Sequence, residues 1–524
     1  MSGMTLDEAI GQLICPALGM RRDPPYDAER VHAELDRYGW GGYIVFRDRA
    51  EAWRDRLAAL QARARRPLLV ASDLEHGAGQ QLLGASTFPS AMAFGATDDP
   101  DNAYALGAWT AREALDFGVN WIFAPVADVT NNPLNPIINI RSFGGEPARV
   151  AAMVAAFVRG CQDQGALACA KHFPGHGDTE TDSHTRLGSV NATRARLEAV
   201  EFPPFRAALD ADVASIMTAH LAVPALDRPE LPATLSRRIL TDLLRGDWGY
   251  EGLIVTDALL MGGITRTLAP EEAAVQAIAA GCDVLLMPPD APATFEALRS
   301  AVASGRLDEA RIFEAAERVR AAKARVGRAC APLPTEPPGS LAQRVAEAAI
   351  TLAKGALPTP LPARGLAIAV DDGVPPERLA VWEQAAAQWG VTRRVALTTT
   401  EAEWQDLEAR AAQAGLLVIG VFSGIQISKD RSLLPEKLVG PLTRLARLRP
   451  AIVISFSSPF LVAQFPDAIA WLLAYGSHPA QITGAIARLR AGGGFNGKLP
   501  LTLPAILPPD TRGRQDPHDA SHFA

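Results

Sequence analysis

Short apolar runs rich in β-branched residues alternate along the first 330 residues with stretches in which apolar residues recur at helical spacing. Seven such runs predict strands, at 42–46, 68–73, 120–128, 166–172, 214–220, 253–257 and 283–287. Most are apolar along their whole length, which is typical of strands buried on both faces of a parallel sheet. Strands that alternate with helices over about 320 residues predict a (β/α)8 TIM-like barrel or a close variant, within an α/β fold class.

Proline-rich segments at 332–338 and 357–362 flank a predicted helix at 340–354. Because proline interrupts regular structure, we expect the barrel at 1–330 and a linker with one helix at 331–363. The alternation then resumes, and strands are predicted at 366–370, 392–397, 416–422, 451–456 and 468–474. This pattern predicts a smaller α/β sandwich domain at 364–507, followed by a tail at 508–524 with hardly any apolar residues.

Composition narrows the class of protein and its partners. The chain has 524 residues, 48% of them hydrophobic, and a formal net charge of −7. No apolar run approaches the ~20 residues that span a bilayer, and binding a polyanion needs a basic face, so we expect neither a membrane nor a nucleic-acid partner. The N-terminal residues lack the basic and apolar regions of a secretory signal, which predicts a cytoplasmic protein.

The five cysteines form a widely spaced set without a C-x-x-C motif. This spacing is typical neither of a disulfide framework nor of a zinc site. We expect all five to be small buried apolar groups: Cys15, Cys161, Cys169, Cys282 and Cys330.

Ionisable side chains stand at the ends of five of the seven predicted strands. They are Asp73, Asp128, Lys171 with His172, His220 and Asp257. A single aspartate in such a place is more commonly a helix cap or a turn former. In parallel barrels, however, catalytic groups lie at the C-terminal ends of the strands, where the following loops form one mouth. Five such strand ends together predict a functional site there.

The loop at 171–184, K-H-F-P-G-H-G-D-T-E-T-D-S-H, contains three of the nine histidines. Its histidines and aspartates are zinc or iron ligand types, but their spacing matches no compact helical pair and Lys171 adds a positive charge. In the other interpretation, Asp182 sets the tautomer of His184 and raises its pKa, so that the imidazole donates a proton near neutral pH. We favour this acid/base interpretation and expect neither a metal nor another cofactor.

The matching anionic group is Asp257, at the end of G-L-I-V-T-D at 252–257. A carboxylate that faces a sugar ring can attack the anomeric carbon and form a covalent glycosyl intermediate, while an acid protonates the leaving oxygen. The alternative interpretation of Asp257 is a helix cap in front of 258–261.

Five motifs together resemble glycoside hydrolase family 3 and, within it, the bacterial β-N-acetylglucosaminidases. They are R-S-F-G at 141–144, K-H-F-P-G-H-G-D-T at 171–179, D-S-H at 182–184, M-T-A-H at 217–220 and T-D-A-L-L-M at 256–261. The resemblance covers residues 1–330 and implies that Asp257 is the nucleophile and that His184 with Asp182 is a mobile acid/base pair. It also implies that Arg141, Lys171 and His172 bind sugar hydroxyls and that Asp73 binds the sugar, and we expect His220 and Met261 to belong to the same substrate-binding set.

Two further segments bear on this resemblance. G-K-L-P-L-T-L-P at 497–504 looks like the segment that closes the α/β sandwich domain of the family. In the β-glucosidase branch that domain contributes a carboxylate as the acid/base, whereas here the D-S-H loop supplies the proton donor from the barrel. The chain departs from the family at 73–78, D-L-E-H-G-A, where the hexosaminidases usually read D-Q-E-G-G-R. His76 in this segment is either a packed loop residue or a substrate contact.

We therefore expect a retaining glycoside hydrolase that removes terminal β-linked N-acetylglucosamine through a covalent glycosyl-aspartate intermediate. A β-glucosidase or a glycoside phosphorylase of the same family is the alternative, since an imidazole acid does not repel phosphate as a second carboxylate would. A sugar-binding protein without catalysis is the alternative from another class. The expected partner is a small carbohydrate, and the sequence does not specify the oligomeric state.

Overall fold

The structure, a computed structural model, describes residues 3–19, 26–266, 268–328, 331–362, 364–425, 429 and 431–510. Two α/β units follow one another along the chain. The first is a closed barrel of parallel strands, and the second is a six-stranded sheet with helices on both faces.

Eight strand segments form the barrel. In chain order they are the split strand Ile14–Cys15 and Ala17–Leu18, then Gly42–Val45, Leu69–Ser72, Trp121–Ile122, Leu167–Phe173, Ser215–Thr218, Leu253–Val255 and Leu285–Leu286. Each pairs in parallel with its neighbour in the sequence. The ring closes because Ile14 pairs with Leu285 and Val255 bridges to Val284. The predicted barrel is confirmed.

The sequence prediction missed the first strand and made the fourth too long. Pro16 splits the first strand into two pairs of residues, which hides the apolar run. The fourth covers only Trp121–Ile122 of the predicted 120–128, because Pro125 has no N–H to donate to a strand ladder.

Side chains along the barrel strands alternate between two apolar environments. Leu69 and Ala71 lie in a cluster inside the barrel, whereas Val70 packs against the surrounding helices. The same alternation places Leu253 and Val255 inside and Ile254 outside. Because both faces are buried, the strands are apolar throughout, and a residue two positions beyond an inward-facing one continues to point into the barrel.

Helices surround the barrel and fill its connections. They are Leu6–Gln12, Ala28–Tyr38, Ala50–Arg63, Ala91–Thr97, Pro100–Asp116, Pro147–Asp163, Arg194–Ala199, Phe202–Asp210, Gly262–Thr265, Pro270–Ala280, Ala291–Ala303 and Glu309–Lys323, with a π-helical segment at Arg238–Asp247. Their starts follow ordinary capping chemistry: Asp27 caps one helix with its carboxylate, and Pro147 occupies the first turn of another.

The second unit is a sheet with one antiparallel edge. Its strands lie in the order Thr351–Gly355, Ala470–Leu473, Ala451–Ser455, Leu416–Ser423, Gly365–Asp372 and Gly390–Ala396. The helices Glu401–Ala411 and Glu436–Leu448 cover one face, and Pro376–Ala386 and Pro479–Ala491 cover the other. The predicted α/β sandwich is confirmed.

The prediction of a single helix at 340–354 is wrong. The helix is Pro338–Ala349, and the residues after it, Thr351–Gly355, form the antiparallel edge strand of the sheet. Within the predicted tail, Asp510 donates its backbone N–H to the carbonyl of Leu434. Residues 511–524 and Cys330 lie outside the described part of the chain, while the other four cysteines are buried. The domain boundaries at 330 and 363 stay a prediction.

The two units are packed together near the mouth of the barrel. The helix Ala91–Thr97 of the barrel inserts Met92 and Ala96 into the apolar core of the second unit. In return, the 497–504 segment lies against the barrel: Gly145 donates its N–H to Pro500 over 2.9 Å, and Lys498 donates its N–H to Ala96 over 2.8 Å. Residues of the second unit therefore reach the C-terminal ends of the barrel strands.

Candidate active site

A cavity of about 890 Å³ opens at the C-terminal ends of the barrel strands. Of the predicted site residues it brings together Asp73, Arg141, Lys171, His172, His184, Asp257 and Met261. Three of these continue the inward alternation of their strands, because Asp73 follows Ala71, Lys171 follows Cys169 and Asp257 follows Val255 by two positions. The second unit lines the outer part of the cavity with Val374, Pro375, Arg378, Ser423, Gly424, Ile425, Phe456, Ser457 and Ser477.

Asp257 is an ionised carboxylate rather than a helix cap. Its Oδ1 accepts the N–H of Ala258 over 2.7 Å, whereas the next helix begins later, with Met261 at its N-cap. Burial raises the pKa of Asp257, but the nearby imidazoles of His172, His220 and His184 and the Ala258 N–H together lower it below its ordinary value. A carboxylate held in the ionised form at the end of an inward-facing strand is suited to act as a nucleophile.

His184 and Asp182 form a hydrogen-bonded pair. His184 Nδ1 lies 2.7 Å from Asp182 Oδ1, and the backbone N–H of His184 donates to the same oxygen over 2.9 Å. Burial raises the pKa of Asp182, but these contacts with His184 outweigh it and keep the carboxyl ionised. Because an ionised carboxylate only accepts, Nδ1 carries a hydrogen, and Nε2 is the ring nitrogen that can exchange a proton.

The segment after Asp257 fixes the loop that carries this pair. Gly262 and Gly263 donate their N–H groups over 3.0 Å to the carbonyls of His184 and Ser183 respectively. A Cβ on Gly262 would lie 2.5 Å from the carbonyl oxygen of Thr185, and one on Gly263 would lie 2.8 Å from that of Ser183. Both positions need glycine, and the close approach couples the segment after Asp257 to the loop that carries Asp182 and His184.

Asp128 organises the first half of the same loop. It accepts Nδ1 of His172 over 2.7 Å and the backbone N–H of His176 over 2.7 Å. The ring of His176 bonds through Nε2 to Ser183 Oγ and through Nδ1 to Thr179 Oγ1, each over 2.9 Å. Burial lowers the pKa of His176 to about 4, so its ring is neutral near pH 7 and ties the two halves of the loop together.

Glu75 is a functional residue that the sequence interpretation missed. Its carboxylate accepts Nε and Nη2 of Arg141 over 2.9 and 2.8 Å and lies 2.8 Å from Lys171 Nζ. Lys171 also donates to Asp73 over 2.5 Å. Burial raises the pKa of Glu75, but Arg141 and Lys171 hold it well below its ordinary value. The signal was available, since two buried cations in one site need an anionic partner.

His220 is a correction to the predicted substrate-binding set. Its ring is fully buried, with Nδ1 2.8 Å from Thr234 Oγ1 and Nε2 3.1 Å from the carbonyl oxygen of Ala258, and it does not line the cavity. It stands three positions beyond the inward-facing Met217, outside the alternation that aims side chains into the barrel. His220 therefore positions the segment after Asp257.

The described residues contain neither a candidate metal cluster nor a candidate membrane-spanning helix. No group of three or more His, Cys, Asp or Glu side chains is placed to hold a metal ion in this part of the chain. Over the same residues, none of the helices has the length and apolar character needed to cross a membrane.

Comparison with known proteins identifies the family. The model of the glycosyl hydrolase family 3 N-terminal domain matches residues 5–322. The chain belongs to glycosyl hydrolase family 3. It is 31% identical to a β-N-acetylglucosaminidase/β-glucosidase from Cellulomonas fimi, over 96% of this chain and 94% of that protein. It is 37% identical to β-hexosaminidase A from Pseudoalteromonas piscicida over 48% of this chain and 46% of that protein.

Solved structures agree with this placement. A family 3 β-N-acetylglucosaminidase from a Paenibacillus strain superposes with a TM-score of 0.84 at 31% identity, covering 96% of this chain and all of that one. A β-glucoside phosphorylase superposes with a TM-score of 0.82 at 25% identity, over 95% of this chain and 94% of that chain. The chain is a glycoside hydrolase with the two-part architecture of these relatives, and its substrates are carbohydrates.

We expect Glu75→Gln to lower the free energy of unfolding by about 3 kcal/mol, because Lys171 and Arg141 lose their shared charge while buried. Glu314→Gln, which breaks exposed pairs, should cost less than about 1 kcal/mol. Chemical denaturation measures both.

The pH dependence of this loss has a defined sign. A carboxyl whose folded pKa is depressed stabilises the protein above its unfolded pKa, and this contribution is lost as pH falls. The difference between wild type and Glu75→Gln should therefore be full at pH 7 and shrink below the ordinary value of 4.5. A difference that persists in acid, or one equal to that of the Glu314 variant, would contradict this assignment.

Proposed function

We propose that this enzyme removes terminal β-linked N-acetylglucosamine with retention, using Asp257 as the nucleophile and His184 with Asp182 as the acid/base pair. The observation that carries the proposal is that the ionised Asp257 and the His184–Asp182 pair line or support one cavity at the barrel mouth. The Paenibacillus β-N-acetylglucosaminidase structure, which covers nearly the whole chain, supports this sugar, and the name of the Cellulomonas fimi relative includes both this activity and β-glucosidase.

In the first step, a carboxylate oxygen of Asp257 attacks the anomeric carbon from the side opposite the leaving group. The bond to the glycosidic oxygen breaks, and that oxygen takes the proton from Nε2 of the His184 imidazolium. Asp182 stays ionised and stabilises the imidazolium through Nδ1. The products of this step are the free aglycone, a neutral His184 and a glycosyl ester of Asp257.

In the second step, a water molecule attacks the anomeric carbon of the ester. His184 Nε2 accepts its proton, and the Asp257 carboxylate leaves. Two inversions give net retention. Sugar hydroxyls are bound by the half-exposed Asp73 and by Arg141, Lys171 and His172, whose positions Glu75 and Asp128 fix.

Phosphorolysis is the second candidate reaction. The acid/base group here is an imidazole, and a neutral imidazole does not repel phosphate as a carboxylate does. The chain is also similar to a β-glucoside phosphorylase over 95% of its length, and this similarity favours testing the enzyme for phosphorolysis. If phosphate replaces water in the second step, the product is a sugar 1-phosphate. The cytoplasmic location stays a prediction from the sequence.

We expect the enzyme to hydrolyse p-nitrophenyl β-N-acetylglucosaminide faster than the corresponding β-glucoside. Asp257→Asn, which keeps the shape of the side chain, should lower turnover at least about 10³-fold because it removes the nucleophile. Asp212→Asn on the exposed surface is the control and should leave turnover unchanged. A faster glucoside would make the protein a β-glucosidase, and acceleration by phosphate with sugar 1-phosphate release would make it a phosphorylase.

We expect His184→Ala to affect substrates according to their leaving groups. An alkyl β-N-acetylglucosaminide needs protonation and should lose about 10²–10⁴-fold in kcat/KM, whereas an activated nitrophenyl substrate should lose much less. Asp182→Asn should show the same pattern with a smaller loss, since it removes the charge that supports the imidazolium. Equal losses for the two substrates would show that His184 is not the acid.

A further inference from the structure

The outer part of the cavity contains two arginines that have no ion-pair partner among the described residues. Arg47 follows the strand Gly42–Val45 at the barrel mouth, and Arg378 lies in the first turn of the helix Pro376–Ala386 in the second unit. Both line the cavity, and within the described residues neither guanidinium forms an ion pair or a hydrogen bond. The exposed neighbour Glu377 does not pair with Arg378.

The other charges of the cavity are matched or already have a role. Lys171 and Arg141 are paired with Asp73 and Glu75. The remaining carboxylate, Asp257, is held by imidazoles deep in the barrel. The lining therefore has four cationic side chains and three carboxylates, and its unmatched positive charge lies at the outer end, where the barrel meets the second unit.

The two arginines also repel each other. Arg378 is half-buried; burial lowers its pKa, Glu377 raises it, and the charge of Arg47 lowers it again. Both arginines remain protonated near pH 7, so the unfavourable repulsion between their charges persists until an anion binds. A bound anion between or beside the guanidinium groups relieves it and gains charge-assisted hydrogen bonds.

Two histidines near Arg378, His76 and His478, have lowered pKa values. Burial lowers the pKa of His478 to about 4 and also lowers that of His76, and the Arg378 charge adds to both shifts. Both rings are therefore neutral near pH 7. His76 lines the cavity, and its Nδ1 is buried without a hydrogen-bond partner among the described residues. Beside the two arginines, the lining thus holds the neutral ring of His76, and its carboxylates are the ion-paired Asp73 and Glu75 and the deeper Asp257.

We propose that Arg378 and Arg47 form an anion-binding subsite for the leaving group, so that the enzyme prefers β-glycosides whose aglycone carries an acidic oxyanion, a carboxylate or a phosphate. The subsite spans both units: Arg47 at the barrel mouth and Arg378 of the second unit together bind the charged group that leaves, while the deeper part of the barrel binds the sugar that is transferred. This inference rests on the proposed function of the same cavity.

The test compares two leaving groups of nearly equal shape and acidity. The substrates are 4-(carboxymethyl)phenyl and 4-(carbamoylmethyl)phenyl β-N-acetylglucosaminide, in which the methylene separates the charge from the phenol. Wild type should prefer the acid over the amide in kcat/KM by about tenfold or more at low ionic strength. Salt should reduce this preference, because it screens the arginines.

Variants test whether the two arginines cause the preference for the acidic leaving group. Arg378→Gln and Arg47→Gln should each reduce the acid-to-amide ratio towards one while leaving the amide rate nearly unchanged, and Arg378→Lys should retain part of the ratio. Arg299→Gln removes the same charge from an exposed pair on another barrel helix and is the matched control. A wild-type ratio near one, or a ratio that Arg378→Gln and Arg299→Gln leave equal, would overturn the proposal.

Two further measurements distinguish an acidic aglycone from inorganic phosphate as the bound anion. They also distinguish failure of the subsite proposal from failure of the proposed function. If inorganic phosphate abolishes the acid preference and sugar 1-phosphate appears, the subsite binds phosphate as a co-substrate and the acidic-aglycone form is wrong. If neither N-acetylglucosaminide turns over, the proposed function fails, and the same ratio is measured with the matching β-glucosides. Calorimetric titration with free 4-hydroxyphenylacetate needs no turnover; binding to wild type that is lost in Arg378→Gln supports the subsite, and equal binding refutes it.

Discussion

The site depends on the compensation of charge in a buried place. Asp257, Glu75 and Asp128 lie at the mouth of an apolar barrel, where an ionised carboxyl is stable only if cations or N–H groups surround it. Each has such neighbours: imidazoles for Asp257, Lys171 and Arg141 for Glu75, and the His172 and His176 groups for Asp128. This arrangement keeps Asp257 charged and fixes the cationic side chains and the imidazoles that line the cavity.

Much of this arrangement follows from the sequence, for a simple geometric reason. A strand buried on both faces is an apolar run in the sequence. Its side chains alternate in direction, and this alternation continues into the first polar residues after the strand. That rule places Asp73, Lys171 and Asp257 in one cavity. The separation of two residues between Asp182 and His184 likewise allows a local hydrogen bond. Both kinds of information are local to a few residues.

The rest depends on contacts between distant segments, which local patterns do not contain. Glu75 becomes important only because Lys171 and Arg141 converge on it across the barrel mouth. Arg378 reaches the cavity from the second unit, more than 300 residues along the chain from Arg47. His220 ends a predicted strand and belongs to a family motif, but its ring is bound by Thr234 and by the carbonyl of Ala258, from segments that the local pattern does not contain.

The central claim is that a sugar becomes covalently attached to Asp257 during the reaction. Incubation with 5-fluoro-N-acetylglucosaminyl fluoride should slow the second step more than the first and let the glycosyl-enzyme accumulate. Proteolysis and mass spectrometry of the inactivated protein should then find one adduct per chain, on the peptide that contains Asp257. An adduct on another carboxylate, such as Asp73, or inactivation without any adduct would contradict this account.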